Sequence, residues 1–312
     1  MIEVKQLVKR YGSHTALNGI SFSLEQGKIY GFLGPNGAGK TTTMNILTGY
    51  LASTSGQVTV GGCDILREPE AAKASIGYLP DVPPVYPDMT VREYLSFAAA
   101  LKALPKDTRQ EQCRDLMDRL NLTDVSDRLI ANLSKGFRQR VGLAQALLGY
   151  PETIILDEPM VGLDPQQIIE MRQLIRSLAE GHTVILSSHI LSEVQELCDY
   201  LLIISGGELV AKGTPKNLER RFCGRGKIHV EAEGDRGQIE AVIDSLSGIE
   251  SVQITEEGET YHLQIEPEED AELRRDIFKA FAERGLTLLS LYQDKPSLEE
   301  MYLKLVQKGE EQ

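Results

Sequence analysis

From Met1 to about Gly213 the apolar residues gather in short runs of buried-strand character, separated by segments with helical spacing. The clearest runs are Lys28 to Leu33, Ile154 to Leu156, Thr183 to Ser187 and Leu201 to Ile204. Strand-like runs alternating with helical patterns are the mark of an α/β sheet. Between Asp81 and Leu133 the strand-like runs stop. Thr90-Val-Arg-Glu93 has capping-box spacing, and Tyr94, Leu95, Phe97, Ala98 and Leu101 follow as one apolar helical face. A second helix is predicted from about Thr108 to Leu120, after Pro105. A helical insertion, about 82–150, therefore interrupts the sheet.

Past Gly213-Thr-Pro215 and Gly224-Arg-Gly226 the pattern changes. Lys227 to Ala232 alternates like a strand, Gln238 to Leu246 like a helix, and Ile249 to Thr255 and Thr260 to Ile265 like two strands across a polar turn. A helix over about Ala271 to Arg284 and a strand over Leu286 to Leu291 complete a βαββαβ order, which is ferredoxin-like. A last helix is predicted to open at Ser297-Leu-Glu-Glu300, with an apolar stripe at Leu298, Met301, Tyr302, Leu305 and Val306 that suits packing on its own sheet ahead of the alternative, a docking surface. The expected plan is a nucleotide-binding domain over 1–213, a linker over 214–226 and a smaller α+β accessory domain over 227–312.

Composition narrows the partners. A net charge of −13 and a pI of about 5.0 argue against broad binding of phosphate backbones, so no nucleic acid is expected. Cys63, Cys113, Cys198 and Cys223 lack C-x-x-C spacing and read as reduced thiols. No apolar stretch approaches the length of a membrane span, and the N-terminus has no apolar signal core.

Gly34-Pro-Asn-Gly-Ala-Gly-Lys-Thr41 fits G-x-x-x-x-G-K-[ST], between an apolar strand and a helix over Thr41 to Leu47. Unpaired backbone N–H groups at that helix start, with its positive dipole end, make an anion site for a nucleoside triphosphate. Gly34, Pro35, Asn36, Gly37, Ala38, Gly39, Lys40, Thr41 and Thr42 are its expected phosphate contacts. Thr153-Ile-Ile-Leu-Asp-Glu158 ends another apolar strand with two acids. Asp157 is placed to hold magnesium beside Thr41, and Glu158 to take the proton of an attacking water. His189 follows a core strand, where parallel sheets place ligand chemistry; His14, His182, His229 and His262 read as structural. The charge run Glu266-Pro-Glu-Glu-Asp270 reads as a solvated turn rather than a metal site. Leu133-Ser-Lys-Gly-Phe-Arg-Gln-Arg140 runs into a predicted helix, Val141 to Leu148, and offers a second anion site at a helix start.

Over residues 1 to about 213 this set resembles the ATP-binding subunit of an ABC transporter. Ser134-Lys-Gly-Phe137 is similar to that family's L-S-G-G-Q signature, with Lys135 for its first glycine and Phe137 for its glutamine. The resemblance implies Asp164 as the D-loop aspartate, His189 as the switch histidine and Tyr11 as the ring that stacks on adenine. It also implies a P-loop fold, ATP and Mg²⁺ as cofactors, and a second ATP-binding subunit, identical or a close paralogue, docked head to tail. In that arrangement Ser134 and Gly136 of one subunit contact ATP held by Lys40 and Thr41 of the other. Asp81 stands where the family usually has a glutamine, either as an oxygen for magnesium or as an acidic loop residue facing water. The Asp81 variant, the signature run and the C-terminal domain resemble the drug, sodium and gliding-motility exporter type. That type implies a separate membrane-spanning permease and a place on the cytoplasmic face of the membrane. The competing expectations are a soluble ABC ATPase acting on ribosomes or DNA, and an ATP-sensing scaffold without turnover. The first usually has two nucleotide units or a long coiled coil, and the second is disfavoured by intact Lys40, Asp157, Glu158 and His189.

Overall fold

The computed structural model describes residues 1–222, 226–268 and 273–294, together with Glu299 and Tyr302. It divides into two units, one built on Met1–Pro215 and one on Lys216–Lys304. The first unit opens with β1 (Ile2–Tyr11), β2 (His14–Leu24), β3 (Ile29–Leu33), α1 (Lys40–Leu47), β4 (Ser55–Val60) and β5 (Cys63–Asp64). α2 (Pro69–Ala74) and β6 (Ile76–Leu79) lead to α3 (Val91–Leu101), α4 (Lys106–Arg119) and α5 (Lys135–Leu147). The chain then returns through β7 (Thr153–Leu156), α6 (Pro165–Leu178), β8 (Thr183–Ser188), α7 (Leu191–Leu197), β9 (Tyr200–Ser205) and β10 (Glu208–Gly213).

Six strands form one sheet in the order β10-β9-β3-β8-β7-β6, parallel except for the hairpin of β9 and β10. Every residue of β3, β7 and β8 is buried, which explains their unbroken apolar or small-residue character. A second, antiparallel sheet in the order β2-β1-β4-β5 packs its inner residues on α1 and β3. Its core includes Ile2, Leu7, Leu17, Phe22 and Val60, with the Phe22 and Phe32 rings 5.8 Å apart. That sheet is absent from the sequence expectation because half-polar strands such as Ile2–Tyr11 carry a weak periodic signal, broken further by register shifts.

The helical insertion has α3 capped as expected: Thr90 Oγ1 accepts from Glu93 N, and Thr90 N donates to the Glu93 carboxylate at 2.9 Å. Tyr94, Leu95 and Ala98 are buried, but Leu101 is 71% exposed because it stands on the last turn, where the helix stops. α5 starts six residues before the predicted Val141, because Ser134 accepts from Phe137 N and caps the helix there. Cys63, Cys113 and Cys198 are free thiols; Cys223 lies outside the described residues.

α8 (Pro215–Phe222) opens the way to the second unit. There β11 (Ile228–Glu233), α9 (Arg236–Asp244), β12 (Ile249–Glu257), β13 (Thr260–Pro267), α10 (Arg274–Glu283) and β14 (Thr287–Gln293) follow the expected βαββαβ order. The sheet is antiparallel in the order β12-β13-β11-β14, the ferredoxin-like arrangement. Val230, Ala232, Ile239, Leu263, Ile265, Ile277 and Phe281 form its own core. The helix predicted from Ser297 falls on residues that, but for Glu299 and Tyr302, lie outside those described, as does most of the charge run after Pro267.

Phe281 is fully buried, so Phe281→Ala should destabilise the second unit by about 3–5 kcal/mol. Hydrogen exchange should show the loss in α10 and β14 while protection of β3, β7 and β8 is unchanged.

Candidate functional site

Parallel register brings three chain exits to one edge of the large sheet. Leu33 pairs with Ser188, and Leu156 with Leu186, so the segments after β3, β7 and β8 leave side by side. After β3 comes the glycine-rich loop. A Cβ on Gly34 would lie 2.4 Å from Ile204 O, and one on Gly39, at φ 107°, would lie 2.8 Å from Ala16 O. Neither position admits a side chain. The first turn of α1 carries no acidic residue, leaving its positive end uncompensated. Lys40, 6% exposed, folds back so that Nζ donates to Gly34 O at 2.8 Å and to Pro35 O at 3.2 Å, and it faces Glu158 Oε1 at 3.4 Å.

A cavity of about 380 Å³ lies here, lined by Tyr11, His14, Ala16, Asn36, Gly37, Gly39, Lys40, Thr41, Thr42, Asp81 and Glu158. Ala38 is buried beneath the loop. Tyr11 is half-exposed, with the Lys9 ammonium 5.0 Å from its ring centre. His14, read from sequence as structural, is part of this lining; the hairpin of β1 and β2 carries it there, and no local pattern marks it. A second cavity, of about 720 Å³, shares Thr41 and Asp81 with the first, is also lined by Asp157, and reaches Tyr50, Tyr78, Val82, Pro84 and Gln145.

The two acids after β7 have different surroundings. Asp157 is 1% exposed; burial pushes its carboxyl above the usual range, hydrogen bonds from Ser187 and Thr41 oppose that, and the charges of Glu158 and Asp81 reinforce it. Ser187 Oγ donates to Asp157 Oδ1 at 2.5 Å and accepts from Glu158 N at 2.9 Å. Glu158 has φ 49°, a left-handed conformation that costs a residue with a side chain about 1–2 kcal/mol. In that conformation one carboxylate oxygen meets Lys40 and the other lies 3.1 Å from His189 Nδ1. His189 is held on a turn in which Ser188 Oγ accepts from Ile190 N at 3.0 Å and donates to buried Glu193 at 2.9 Å. Ser187 and Ser188 were not singled out from sequence. Their signal is the pair of hydroxyls on opposite faces at the end of a buried strand.

Ser134, Gly136 and Asp164 lie apart from this cavity's lining and cluster with one another instead. Exposed Ser134 caps α5, and Asp164 caps α6 by accepting from Gln167 N at 2.9 Å. A Cβ on Gly136 would lie 2.8 Å from the Gln167 side chain, and the Lys135 ammonium rests over Gly162. Phe137 is turned to its own helix, with the Arg140 guanidinium 5.7 Å from its ring centre, while Arg140 pairs with Glu170. His182 Nδ1 lies 2.6 Å from Pro151 O, and His229 stacks on Tyr292 beside Asp294, in keeping with structural roles.

A glycine loop of the G-x-x-x-x-G-K-[ST] pattern, followed at once by a buried lysine and faced by acids from the end of β7, one strand beyond β8, defines a P-loop nucleoside triphosphatase. The family model described as ABC transporter matches residues 17–161, and that described as ATP-binding protein DrrA1-3-like, C-terminal domain, matches 213–306. The linearmycin resistance ATP-binding protein LnrL of Bacillus subtilis (strain 168) is 34% identical over 98% of each chain. The bacitracin transport ATP-binding protein BcrA of Bacillus licheniformis is 33% identical over 99% of this chain and 98% of its own. A solved ATP-binding subunit of an ABC transporter superposes with a TM-score of 0.65 at 30% identity, covering 71% of this chain and 93% of that one. The chain belongs to the ABC transporter ATP-binding proteins, an ATP-binding and ATPase family, and carries a DrrA-like C-terminal domain.

Asp157 supplies a pH test. Its pKa is raised in the fold, so its contribution to stability is present at low pH and lost as pH rises through the native value. Asp157→Asn, which cannot ionise, should melt at a higher temperature than the parent at neutral pH. The gap should narrow on acidification toward the unfolded carboxyl pKa of about 3.9, as followed by thermal melts across pH.

Proposed function

We propose that this chain is the ATP-binding and ATP-hydrolysing subunit that energises export through a separate membrane-spanning partner. The observation that carries the reading is the meeting of Lys40, Asp157, Glu158 and His189 at one edge of the parallel sheet, within reach of the glycine loop. The relatives named for linearmycin resistance, bacitracin transport and, at 36% identity over 70% of this chain, Nod factor export in Ralstonia nicotianae (strain ATCC BAA-1114 / GMI1000) favour an exporter. Residues 1–213 are read as the ATP-binding domain with a helical subdomain over 82–150, 214–226 as a linker and 227–312 as the accessory domain.

ATP enters with its phosphates on the loop from Gly34 to Thr42 and the first turn of α1, and with adenine against Tyr11. Lys40 offsets charge on the outer phosphates, which the backbone dipoles neutralise only in part. Glu158 accepts the proton of the attacking water, and His189 holds the carboxylate that does so. The oxygen donors around buried Asp157 suit magnesium: Thr41 lies within hydrogen-bond reach, and Asp81 lines the larger cavity together with both. When bound, magnesium would neutralise charge developing on the phosphates.

Ser134, Gly136 and Asp164 complete the site from a second subunit, identical or a close paralogue. An exposed helix start that lies outside its own chain's nucleotide cavity suits the γ-phosphate held by another copy in a two-fold pair. No helix among the described residues is long and apolar enough to cross a membrane. Tyr50 and Val82, 82% and 76% exposed, line the larger cavity and suit an apolar docking face for the permease. The chain is thus read as peripheral on the cytoplasmic face of the membrane.

Lys40→Ala should abolish tight ATP binding, measured by titration calorimetry or a fluorescent nucleotide. Glu158→Gln should keep ATP binding while hydrolysis falls by roughly 10²-fold or more. ATP should then hold the Glu158→Gln protein as a dimer in light scattering, with Lys40 of one chain and Ser134 and Gly136 of the other on the same γ-phosphate. Wild-type turnover in Glu158→Gln would overturn the assignment of the base.

A further inference from the structure

We infer that Ser187 is a positioning residue for hydrolysis, acting through the peptide that joins Asp157 to Glu158. The inference rests on the reading of Glu158 as the base. Ser187 is fully buried and belongs to neither cavity lining, so it touches no nucleotide itself. Its hydroxyl closes a small ring: it donates to Asp157 Oδ1 at 2.5 Å and accepts from Glu158 N at 2.9 Å. Strand register puts it there. Leu156 and Leu186 are paired neighbours on β7 and β8, so the residues that follow them in the chain, Asp157 just past β7 and Ser187 within β8, meet side by side.

The ring fixes the orientation of the peptide from which Glu158 departs at φ 49°. A residue with a side chain keeps such a conformation only when its surroundings hold it. Ser187 supplies that hold from one side and the Val161 N–H, donating to Glu158 O at 3.2 Å, from the other. The outcome is a carboxylate directed at Lys40 and His189 rather than away from the loop. Asp157 retains the Thr41 hydroxyl when Ser187 is removed, whereas the Glu158 amide loses the acceptor that orients it. The effect of Ser187 is therefore expected to fall on Glu158 and on the hydrolytic step, with little change in ATP binding.

The test is a kinetic cycle on the full chain with Ser187→Ala, Glu158→Gln and the double variant, using Mg-ATP. Ser187→Ala should lower kcat by about 10–100-fold, the scale of a misplaced catalytic group. Its affinity for ATP should stay within about 3-fold of the parent, which separates a positioning effect from a damaged site. Adding Ser187→Ala to Glu158→Gln should change the residual rate by no more than about 2-fold, because the group through which it acts is already lost. A wild-type kcat in Ser187→Ala, a loss confined to ATP affinity, or the same fold-loss in both backgrounds would overturn the inference while leaving Glu158 as base. Wild-type turnover in Glu158→Gln would overturn both. Should Ser187→Ala not fold, Ser187→Cys, close in size with a weaker hydrogen bond, should give an intermediate kcat, and an unchanged kcat there would also overturn it.

Discussion

Parallel register across β3, β8 and β7 is the constraint on which the rest of the first unit depends. Pairing of Leu33 with Ser188 makes β3 and β8 finish level, and pairing of Leu156 with Leu186 ends β7 two residues earlier at the same edge. Backbone geometry therefore delivers the glycine loop, the two acids and His189 to the same edge before any side chain interacts. A slip of one residue in β8 would turn Ser187 from Asp157 toward the opposite face and send Ser188 into its place. β3, β7 and β8 are buried on both faces, so such a slip would disturb close packing on both sides of the sheet.

Electrostatics sets the second condition. Asp157, Glu158 and Asp81 bring acidic groups close together beside the cavity proposed for the polyanion. The adjacent cation, Lys40, is itself buried and bonded to two carbonyl oxygens, so it cannot neutralise all of them. The start of α1 adds positive potential without a titratable group, and an acid-free first turn preserves it. Burial that disfavours the charged form of Asp157 is tolerated in a site whose incoming cation would favour that form.

Much of this was legible because the informative features are local. Gly34 to Thr41 is read directly, and the steric reasons at Gly34 and Gly39 appear in the fold as contacts with Ile204 O and Ala16 O. The βαββαβ order of the second unit was likewise visible, since each strand has its own periodicity. What escaped was set by distant pairing. The sheet of β1, β2, β4 and β5 joins half-polar strands through bulged registers, and His14 reaches the nucleotide cavity only because a hairpin folds it back. Ser187 is an ordinary strand serine until β7 lies beside it. The start of α5 was missed for a different reason: Lys135 and Arg138 interrupt the apolar pattern, while the cap at Ser134 decides the boundary.

The proposed signature residues, apart from the proposed nucleotide cavity, are held to one another by packing. Gly136 lies so close to the Gln167 side chain that a Cβ would stand 2.8 Å from it, and Gln167 N is the donor to the Asp164 cap. The starts of α5 and α6 are thus packed as one piece, and the Lys135 stem lies over Gly162 between them. A lysine in the first turn opposes the helix dipole, and that turn contains no acid to offset it. An anion brought to Ser134 would meet both the helix dipole and this cation, with their effects in the same direction. The same packing means that movement of the signature would carry Asp164 with it. In the proposed pair, contact with a partner's phosphate at α5 would then be felt at α6, through Gln167 rather than through the nucleotide.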